Sequence, residues 1–416
     1  MGKIKLIVSS LILFLLLCLD CTDGHSLDYN KLLFKCTTRL EEPYGICTHV
    51  NSKEKTGDWY QRIRILKDIR KIGINYMRTD FYWYSLQPRI AKPLNFKQYD
   101  DFIRPMNKED IKFLPIFTYQ QSLTNNALNQ PDKWINYILS CINRYPKIKY
   151  VEIINEADRI SGLNGSDYSK LLQRAYKAIK KFDKDIMVLY SSYSKSDSNF
   201  FDEVMITGSD KFFDIMNFHF YNWNYPPETA SKQFLSLKQK LDKYHINKPV
   251  WVTETGYPTT LVSEENQAKY LPRVFIIGFS YGFDKMFWYD FKSTEIDAKD
   301  NESHFGIYHS NLSPKPASLS YQILIKMCPS GSTRPVFIKD NNLYVAHWEL
   351  PSKKNVFAVW SSNDNYEISI NENKYKAYLY NGRLMKTTNT LNVGNSLIYI
   401  KGLKNSIKIK NKIYKF

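Results

Sequence analysis

Two glutamates that each follow a short apolar run carry the strongest chemical signal in this sequence of 416 residues. Glu156 ends the segment VEIINE (151–156), and Glu254 follows PVWVT (249–253). A carboxylate at the end of a buried strand loses hydration, and it is usually paired or used in chemistry. Retaining glycoside hydrolysis requires one acid/base and one nucleophilic carboxylate at the same bond. The two glutamates therefore predict this reaction, provided that the fold brings them together.

The segment from 43 to 328 alternates short β-branched or aromatic runs with longer amphipathic stretches, a pattern typical of βα units. Eight runs are candidate strands: 43–50, 74–83, 111–119, 150–157, 186–192, 214–222, 249–257 and 284–291. This count predicts an α/β fold, a (β/α)8 TIM barrel over 43–328. Glu156 and Glu254 then end the fourth and seventh strands. Both lie at the C-terminal face, where such barrels carry their active sites.

The sequence changes character after residue 328. Short alternating runs separated by turn residues predict a small C-terminal antiparallel β-sandwich domain over 329–416. Its candidate strands are 342–350, 355–362, 366–370, 376–382 and 396–402. Residues 25–42 fit neither part, and they could donate a strand to the sandwich.

The first 24 residues are expected to be a signal peptide. Lys3 and Lys5 precede an apolar stretch that is too short to span a membrane comfortably. We therefore expect an exported protein that is secreted, periplasmic or lipid-anchored at the cell surface. Cys18 and Cys21 lie where a lipoprotein cysteine would be, which leaves a lipid anchor open.

Four cysteines follow the signal segment: Cys36, Cys47, Cys141 and Cys328. Export makes disulfides chemically feasible, and Cys36 with Cys47 is the nearest candidate pair. Their spacing forms neither a CxxC motif nor a Cys/His cluster, so no metal site is predicted.

The formal net charge of +17 has two interpretations. One is attraction to an acidic polymer such as a uronic-acid-containing or sulfated glycan. The other is a lysine-rich composition with a basic tail over 401–416. Nucleic acid is not an expected partner, because export separates the protein from it and no recognition motif is present. The oligomeric state remains unknown from the sequence.

The pair Asn155–Glu156 after the fourth strand, with Glu254 after the seventh, resembles the clan A glycoside hydrolases, the "4/7" retaining barrels. Within the clan, the chain is most similar to the β-xylosidase and α-L-iduronidase type family and its cellulase-like relatives. Arg78 in YMRTDFYW matches the arginine after the second strand of this clan.

Three further positions carry the same resemblance. His219 and Tyr221 in NFHFYNW match a sixth-strand histidine and tyrosine, and Trp288 in MFWYDF matches an eighth-strand tryptophan. From the residues alone, His219 is equally well explained as a core histidine. For Trp288, plain barrel packing is the lesser alternative.

The resemblance implies a role for each matched residue and requires no cofactor. Glu156 would be the general acid/base, and Glu254 the nucleophile, kept ionised by Arg78. Arg78 could instead pair with Asp80 or another acid at the rim. The resemblance also implies roles for four other residues: Asn155 would bind the sugar 2-hydroxyl, Tyr221 would orient Glu254, His219 would contact substrate, and Trp288 would form the floor under the reacting sugar.

The function predicted from these observations is a secreted O-glycosyl hydrolase that retains configuration and acts on an oligo- or polysaccharide. Exo action, xylosidase-like, and endo action, endo-glycanase-like, both remain open. An aromatic wall over 82–96 would favour exo action. The alternative from another class is a non-catalytic carbohydrate-binding or adhesion protein on a barrel scaffold.

Overall fold

The computed structural model describes residues 32–49, 59–194, 199–370, 375–386, 388–404, 406–409 and 412–415. Eight parallel strands form its first sheet: β1 (Tyr44–Cys47), β2 (Tyr76–Phe81), β3 (Lys112–Phe117), β4 (Tyr150–Ile153), β5 (Met187–Leu189), β6 (Met216–His219), β7 (Val250–Thr255) and β8 (Lys285–Trp288). Hydrogen-bonded neighbours follow the order β5-β4-β3-β2-β1-β8-β7-β6. Single parallel bridges, Leu189–Ile215 and Tyr193–Phe218, connect the two ends of this order. The predicted (β/α)8 barrel is confirmed.

Helices connect consecutive strands on the outside of the barrel. They are α1 (Trp59–Ile72), α2 (Trp83–Leu86), α3 (Lys97–Lys108), α4 (Pro131–Arg144), α5 (Gly165–Phe182), α6 (Phe200–Met205), α7 (Ser231–Lys243), α8 (Glu264–Tyr281) and α9 (Pro316–Met327). Side-chain caps begin two of the longest, since Asn164 accepts from the Asp167 amide and Ser263 from the Asn266 amide. A single 3₁₀ turn, Ala157–Arg159, follows Glu156 directly.

Aromatic side chains fill the barrel interior below the strand ends. The Tyr76 ring on β2 lies 6.2 Å from both the Trp251 ring on β7 and the Phe287 ring on β8. Neighbouring strand residues Val250 and Val252 pack instead with the helices. This division follows the two-residue period of a strand, which sends alternate side chains to opposite faces.

Two antiparallel sheets follow the barrel. Their strands are β9 (Val336–Asp340), β10 (Leu343–Glu349), β11 (Asn355–Ser361), β12 (Tyr366–Ser369), β13 (Lys376–Leu379), β14 (Thr390–Val393), β15 (Ile398–Lys401), β16 (Ser406–Ile409) and β17 (Lys412–Lys415). One sheet has the order β13-β15-β11-β10-β9 and the other β14-β12-β16-β17. Side chains from both sheets share one apolar core, among them Val345, Phe357, Ile368 and Val393. The predicted sandwich is present, although the sequence missed β9, β14, β16 and β17.

A buried ion pair of the barrel lies at its contact with the sandwich. Arg273 on α8 binds Glu228 at 2.5 Å, and their side chains are only 2% and 5% exposed. The Trp360 indole on β11 donates to the same carboxylate at 2.6 Å. Since Arg273 and Glu228 both belong to the barrel, the indole of Trp360 is the group that connects this pair to the sandwich.

Several expectations from the sequence are corrected or lie outside the described residues. Cys36 and Cys47 are free thiols, as are the other two described cysteines. Within the described part of 25–42, Arg39 forms one bridge with Thr333 and there is no strand. The signal peptide (1–24), with Cys18 and Cys21, lies outside the described residues. No helix in the described ranges has the length and apolarity to cross a membrane.

Candidate active site

A cavity of about 340 Å³ opens at the C-terminal ends of the strands. The residues that line it lie on or after β1, β2, β3, β4, β6, β7 and β8. They include five that the sequence singled out: Arg78, Asn155, Glu156, Tyr221 and Glu254. The barrel therefore brings together residues that are far apart in the chain, as its topology requires.

Glu156 and Glu254 approach each other across this cavity. One oxygen of each carboxylate and a ring nitrogen of His219 all lie within 4.8 Å of one another. His219 Nδ1 lies 3.0 Å from Glu156 Oε1 and 3.4 Å from Glu254 Oε2. Retaining glycosidases hold their two carboxyl groups about 5–5.5 Å apart, whereas inverting enzymes separate them by about 6.5–9.5 Å. The observed approach is compatible with the retaining arrangement.

The backbone leading to Glu156 is unusual. Ile154 and Glu156 both have positive φ, +68° and +42°. This region is costly for residues other than glycine, and most of all for a β-branched one. The amide of Glu156 donates to Ser192 Oγ at 3.0 Å, and that of Ala157 donates to Ser191 Oγ at 2.8 Å. These two bonds to the end of β5 hold the strained turn and direct the carboxylate into the cavity.

Glu254 is held as an anion. Arg78 donates to its Oε1 at 2.6 Å, and the Tyr221 hydroxyl donates to its Oε2 at 2.7 Å. Burial raises the pKa of the Glu254 carboxyl. The charges of His219 and Arg78 and the bonds from Tyr221 and Arg78 outweigh burial and hold this pKa below its ordinary value. An ionised, oriented carboxylate is what a nucleophile needs.

The position of Arg78 is fixed by side chains of β4 and of the loop that follows it. Its Nε donates to Glu152 Oε2 at 2.7 Å, and its Nη2 donates to Glu152 Oε1 at 2.8 Å. Nη2 also donates to Asn155 Oδ1 at 2.7 Å. Arg78 and Glu152 are 2% and 0% exposed. This bidentate pair fixes the guanidinium plane, so that its remaining nitrogen points at Glu254. Glu152 is thus a buried support, as its position deep on β4 predicts.

His219 completes a buried hydrogen-bond chain. Its Nε2 lies 2.8 Å from Thr253 Oγ1, which donates its single proton to Asn217 Oδ1 at 2.6 Å. The other ring nitrogen, Nδ1, lies 3.0 Å from Glu156 Oε1, so the imidazole connects the buried Thr253 to the carboxyl group of Glu156. His219 is fully buried and contacts the carboxylates, so the structure gives it a place beside the reacting groups.

Trp288 does not lie at the floor of the cavity, where the sequence predicts it. Its side chain is fully buried, does not line the cavity, and stacks on Tyr257 at 6.3 Å. The next residue, Tyr289, lines the cavity, with its hydroxyl bonded to Glu302 and 3.2 Å from His49 Nε2. Phe287 and Tyr289 face the interior while Trp288 faces the helices, because side chains alternate along the strand.

Several residues that line the cavity were not identified as site residues from the sequence, among them the charged or aromatic side chains of Asp80, Arg159, Trp223 and Glu302. Asp80 lies two residues beyond Arg78 on β2, so strand alternation could have placed it on the same face. The other three lie in loops, where the sequence carries no periodic signal. Arg159 Nε lies 3.1 Å from Glu156 Oε2 and also donates to Ser194 Oγ at 2.9 Å.

The trio Glu156, His219 and Glu254 has the ligand types that could hold a metal ion. Arg78 and Arg159 already supply positive charge to the two carboxylates at 2.6 and 3.1 Å. A divalent cation would have to compete with both guanidiniums, so the donor set fits carboxylate chemistry better than a metal centre.

Comparisons with known proteins agree with this geometry. The model of glycosyl hydrolase family 53 matches residues 149–280, a segment that contains both Glu156 and Glu254. No curated protein gives a significant match to the chain.

Solved structures share the fold over most of the chain. A family 39 glycoside hydrolase from Bacteroides cellulosilyticus WH2 matches with 20% identity and a TM-score of 0.69, over 91% of this chain and 82% of that one. A β-xylosidase of the same family from Caulobacter crescentus matches with 12% identity and a TM-score of 0.62, over 89% and 98%. An endo-β1,6-glucanase matches with 13% identity and a TM-score of 0.61, over 89% and 93%.

The chain shares its fold with these glycoside hydrolases, so the predicted resemblance to them is confirmed at the level of the fold. The family match over 149–280, together with this fold, supports a glycosidase that acts on a carbohydrate.

Proposed function

We propose that this protein is an exported retaining β-glycosidase with Glu156 as acid/base and Glu254 as nucleophile. The observation that carries the proposal is the approach of the two carboxylates within 4.8 Å at the ends of β4 and β7. Their unequal surroundings support the division of roles. Glu254 accepts bonds from Arg78 and Tyr221, whereas Glu156 lies 3.0 Å from His219 Nδ1 and has no bond from Arg78 among the described contacts.

In the first step, Glu254 attacks the anomeric carbon while Glu156 gives its proton to the glycosidic oxygen. The bond to the leaving group breaks, and a covalent glycosyl-enzyme ester forms on Glu254. Tyr221 and Arg78 keep the carboxylate oxygens of Glu254 in place. Their hydrogen bonds weaken as negative charge leaves this carboxylate. Asn155, fixed by Arg78 at 2.7 Å, is placed to bond a hydroxyl next to the reacting carbon.

In the second step, Glu156 takes a proton from water, and the water oxygen attacks the anomeric carbon. The ester bond to Glu254 breaks and the sugar leaves with its original configuration. His219 orients the carboxyl group of Glu156 in both steps, because its Nδ1 lies 3.0 Å from Oε1 of that residue.

We favour exo action on short chains. The cavity of about 340 Å³ lies at the small end of the range of about 300–1,000 Å³ for ligand pockets. Its aromatic walls are Tyr221, Trp223, Tyr289 and Phe305. None of the residues 82–96 lines the cavity in the described structure. The preference for exo action therefore rests on the small cavity volume and not on the aromatic wall expected from that segment.

A panel of aryl β-glycosides tests the function, with proton NMR of the first product formed. We expect hydrolysis of at least one substrate with the β-anomer appearing first. An α-anomer as first product would contradict the retaining mechanism, and no hydrolysis by the native protein would favour the carbohydrate-binding alternative. The Glu254→Gln variant should bind substrate without turnover, while Glu265→Gln on the exposed face of α8 serves as the matched control.

Export is part of the proposal and rests on the basic and apolar segment within residues 1–24. Mass spectrometry of the protein recovered from its native host would show the new N-terminus. A mature chain beginning near residue 25 supports secretion, and a diacylglycerol-modified Cys18 or Cys21 would establish a lipid anchor. An intact Met1 would contradict export.

A further inference from the structure

We infer that Arg159 binds an oxyanion on the leaving group, so that the substrate is an acidic glycan with a uronic acid or a sulfated sugar on the departing side of the cleaved bond. The inference rests on the proposed glycosidase function and names the substrate class of the same site. It gives part of the net charge of +17 a use at the cavity.

Arg159 lies on the leaving-group side of the proposed acid/base. It ends the 3₁₀ turn that follows Glu156, and its Nε lies 3.1 Å from Glu156 Oε2. The other oxygen of this carboxylate, Oε1, faces the fully buried His219 at 3.0 Å. A general acid protonates the glycosidic oxygen, which departs with the leaving group. A side chain at the oxygen of Glu156 that faces away from His219 therefore lies beside the leaving group.

The guanidinium of Arg159 is held at one end and open at the other. Its Nε donates to Ser194 Oγ at 2.9 Å, and this hydroxyl in turn donates to Asp158 Oδ1 at 2.9 Å. Its terminal nitrogens, Nη1 and Nη2, form no hydrogen bond with any residue that the structure describes. The side chain is 49% exposed and lines the cavity. Two parallel N–H donors of this kind match two oxygens of a carboxylate or a sulfate.

Arg78, the other guanidinium in the described lining of the cavity, is closed to a substrate anion. It is 2% exposed, and its Nε and Nη2 bind Glu152. Its Nη1 donates to Glu254 at 2.6 Å. An anionic group would have to break these buried pairs to reach Arg78, whereas Arg159 can bind the same group without losing a partner.

The acids of the cavity lie on other strands than Arg159. Glu302 belongs to the 3₁₀ turn Asn301–His304 after β8, and it accepts a bond from the Tyr289 hydroxyl. In the closed barrel, three strands separate β4 from β8 in either direction, so Glu302 and Arg159 lie on opposite sides of the mouth. Asp80 lies on β2, two strands from β4.

Asp158 is the acid next to Arg159 in the chain. It accepts bonds from the amide of Ser194 at 3.2 Å and from the hydroxyl of the same residue at 2.9 Å. Its carboxylate is thus used to hold the loop after β5. An oxyanion on the leaving group meets Arg159 on this side of the cavity, and the remaining acid beside it is Glu156, which must carry a proton when the bond breaks.

Matched leaving groups test the inference on the glycone that the native protein hydrolyses in the aryl β-glycoside panel. The pairs are carboxyphenyl against carbamoylphenyl and sulfophenyl against sulfamoylphenyl glycosides, each substituted at position 3 or 4. We expect kcat/KM for the anionic member of at least one pair to be higher by about tenfold. This preference should shrink between about 0.05 and about 0.5 M NaCl, because the arginine is half-exposed.

The two pairs distinguish the sources of the oxyanion. A larger ratio for the carboxylate pair assigns a uronic acid, and a larger ratio for the sulfonate pair assigns a sulfated sugar. Ratios of one or below in both pairs would overturn the inference and leave the proposed function standing. Failure to hydrolyse any glycoside would instead remove the proposed function.

Variants of Arg159 test the assignment of the residue. Arg159→Gln should lower the ratio of anionic to neutral kcat/KM by about tenfold, and Arg159→Lys, which keeps the charge without the fork, should retain part of the preference. Arg174→Gln is the matched control, because Arg174 on α5 is 48% exposed, pairs with Asp132 and does not line the cavity. Equal losses on the anionic and neutral glycosides in Arg159→Gln would overturn the inference, since they would show that Arg159 only positions Glu156.

Discussion

Glu152 and Glu254 are bound by the same guanidinium, with Arg78 2.7 Å from one carboxylate and 2.6 Å from the other. The nucleophile of the proposed reaction is therefore anchored to a fully buried acid that never meets substrate. The cluster has two anions and one cation, and His219 lies beside it with Nδ1 3.4 Å from Glu254. This arrangement makes the catalytic geometry depend on residues of the barrel interior.

Arg78→Met should destabilise the protein by about 3–5 kcal/mol, because it leaves Glu152 and Glu254 buried without their partner. Urea unfolding followed by fluorescence measures the free energy of unfolding. Arg104→Met on α3 is the control, since this side chain is 77% exposed and should contribute less than about 1 kcal/mol. A loss below that level for Arg78→Met would show that the cluster does not need its cation.

Glu156→Ala should slow hydrolysis of glycosides with poor leaving groups by about 10²–10⁴-fold, and of activated aryl glycosides much less at the first step. Added azide, which needs no general base, should restore turnover and give a β-glycosyl azide. Chromatography and NMR of the product check this. Equal losses for both classes of leaving group, with no azide product, would contradict the role of Glu156 as acid/base.

Tyr221→Phe should move the acid limb of the kcat/KM profile to higher pH by about one unit. The pKa of Glu254 is held low in part by the bond from Tyr221, which favours the ionised carboxylate. Removing that bond raises the pKa, so the nucleophile becomes protonated at a higher pH than in the native protein. Tyr225→Phe is the control, and an unmoved acid limb would count against Glu254 as the group that must ionise.

Trp288→Phe should lower stability by about 1–3 kcal/mol and leave KM unchanged, because the ring packs between strand and helices. Tyr289→Phe should change KM, because it removes a hydroxyl bonded to Glu302 inside the cavity. Parallel unfolding and kinetic measurements separate the two. A raised KM in Trp288→Phe without loss of stability would restore the stacking role expected from the sequence.

Asp80→Asn should change how stability depends on pH. Burial raises the pKa of Asp80 to about 6, with Glu152 and Glu254 adding to it and Arg78 and Tyr82 opposing it. Since the folded state holds this proton more tightly than the unfolded chain, Asp80 makes stability fall as pH rises from about 4 to about 6. The variant should therefore gain stability relative to the native protein across that window, and a constant difference in unfolding free energy would contradict the shift.

Much of the fold could be predicted from the sequence, because strands and helices leave local patterns of apolar residues. Each of the eight barrel strands lies within a predicted run, since β-branched and aromatic runs between amphipathic helices leave few alternative topologies. The missed strand β9 at Val336–Asp340 is short, with alternating exposure and a weak apolar signal. Cys36 and Cys47, the nearest candidate pair for a disulfide, are free thiols, because closeness in sequence does not set the direction of side chains.

The sequence by itself determined the two glutamates and the strand ends that carry them, because strand order in a barrel follows chain order. Only the tertiary structure decided that Tyr289 rather than Trp288 faces the cavity, since a shift of one residue along a strand reverses the side chain. It also brought Trp223 and Glu302 from separate loops to the same cavity. The conformation of a loop depends on contacts between segments that are distant in the sequence. The positions of these two side chains could therefore not be predicted from the sequence.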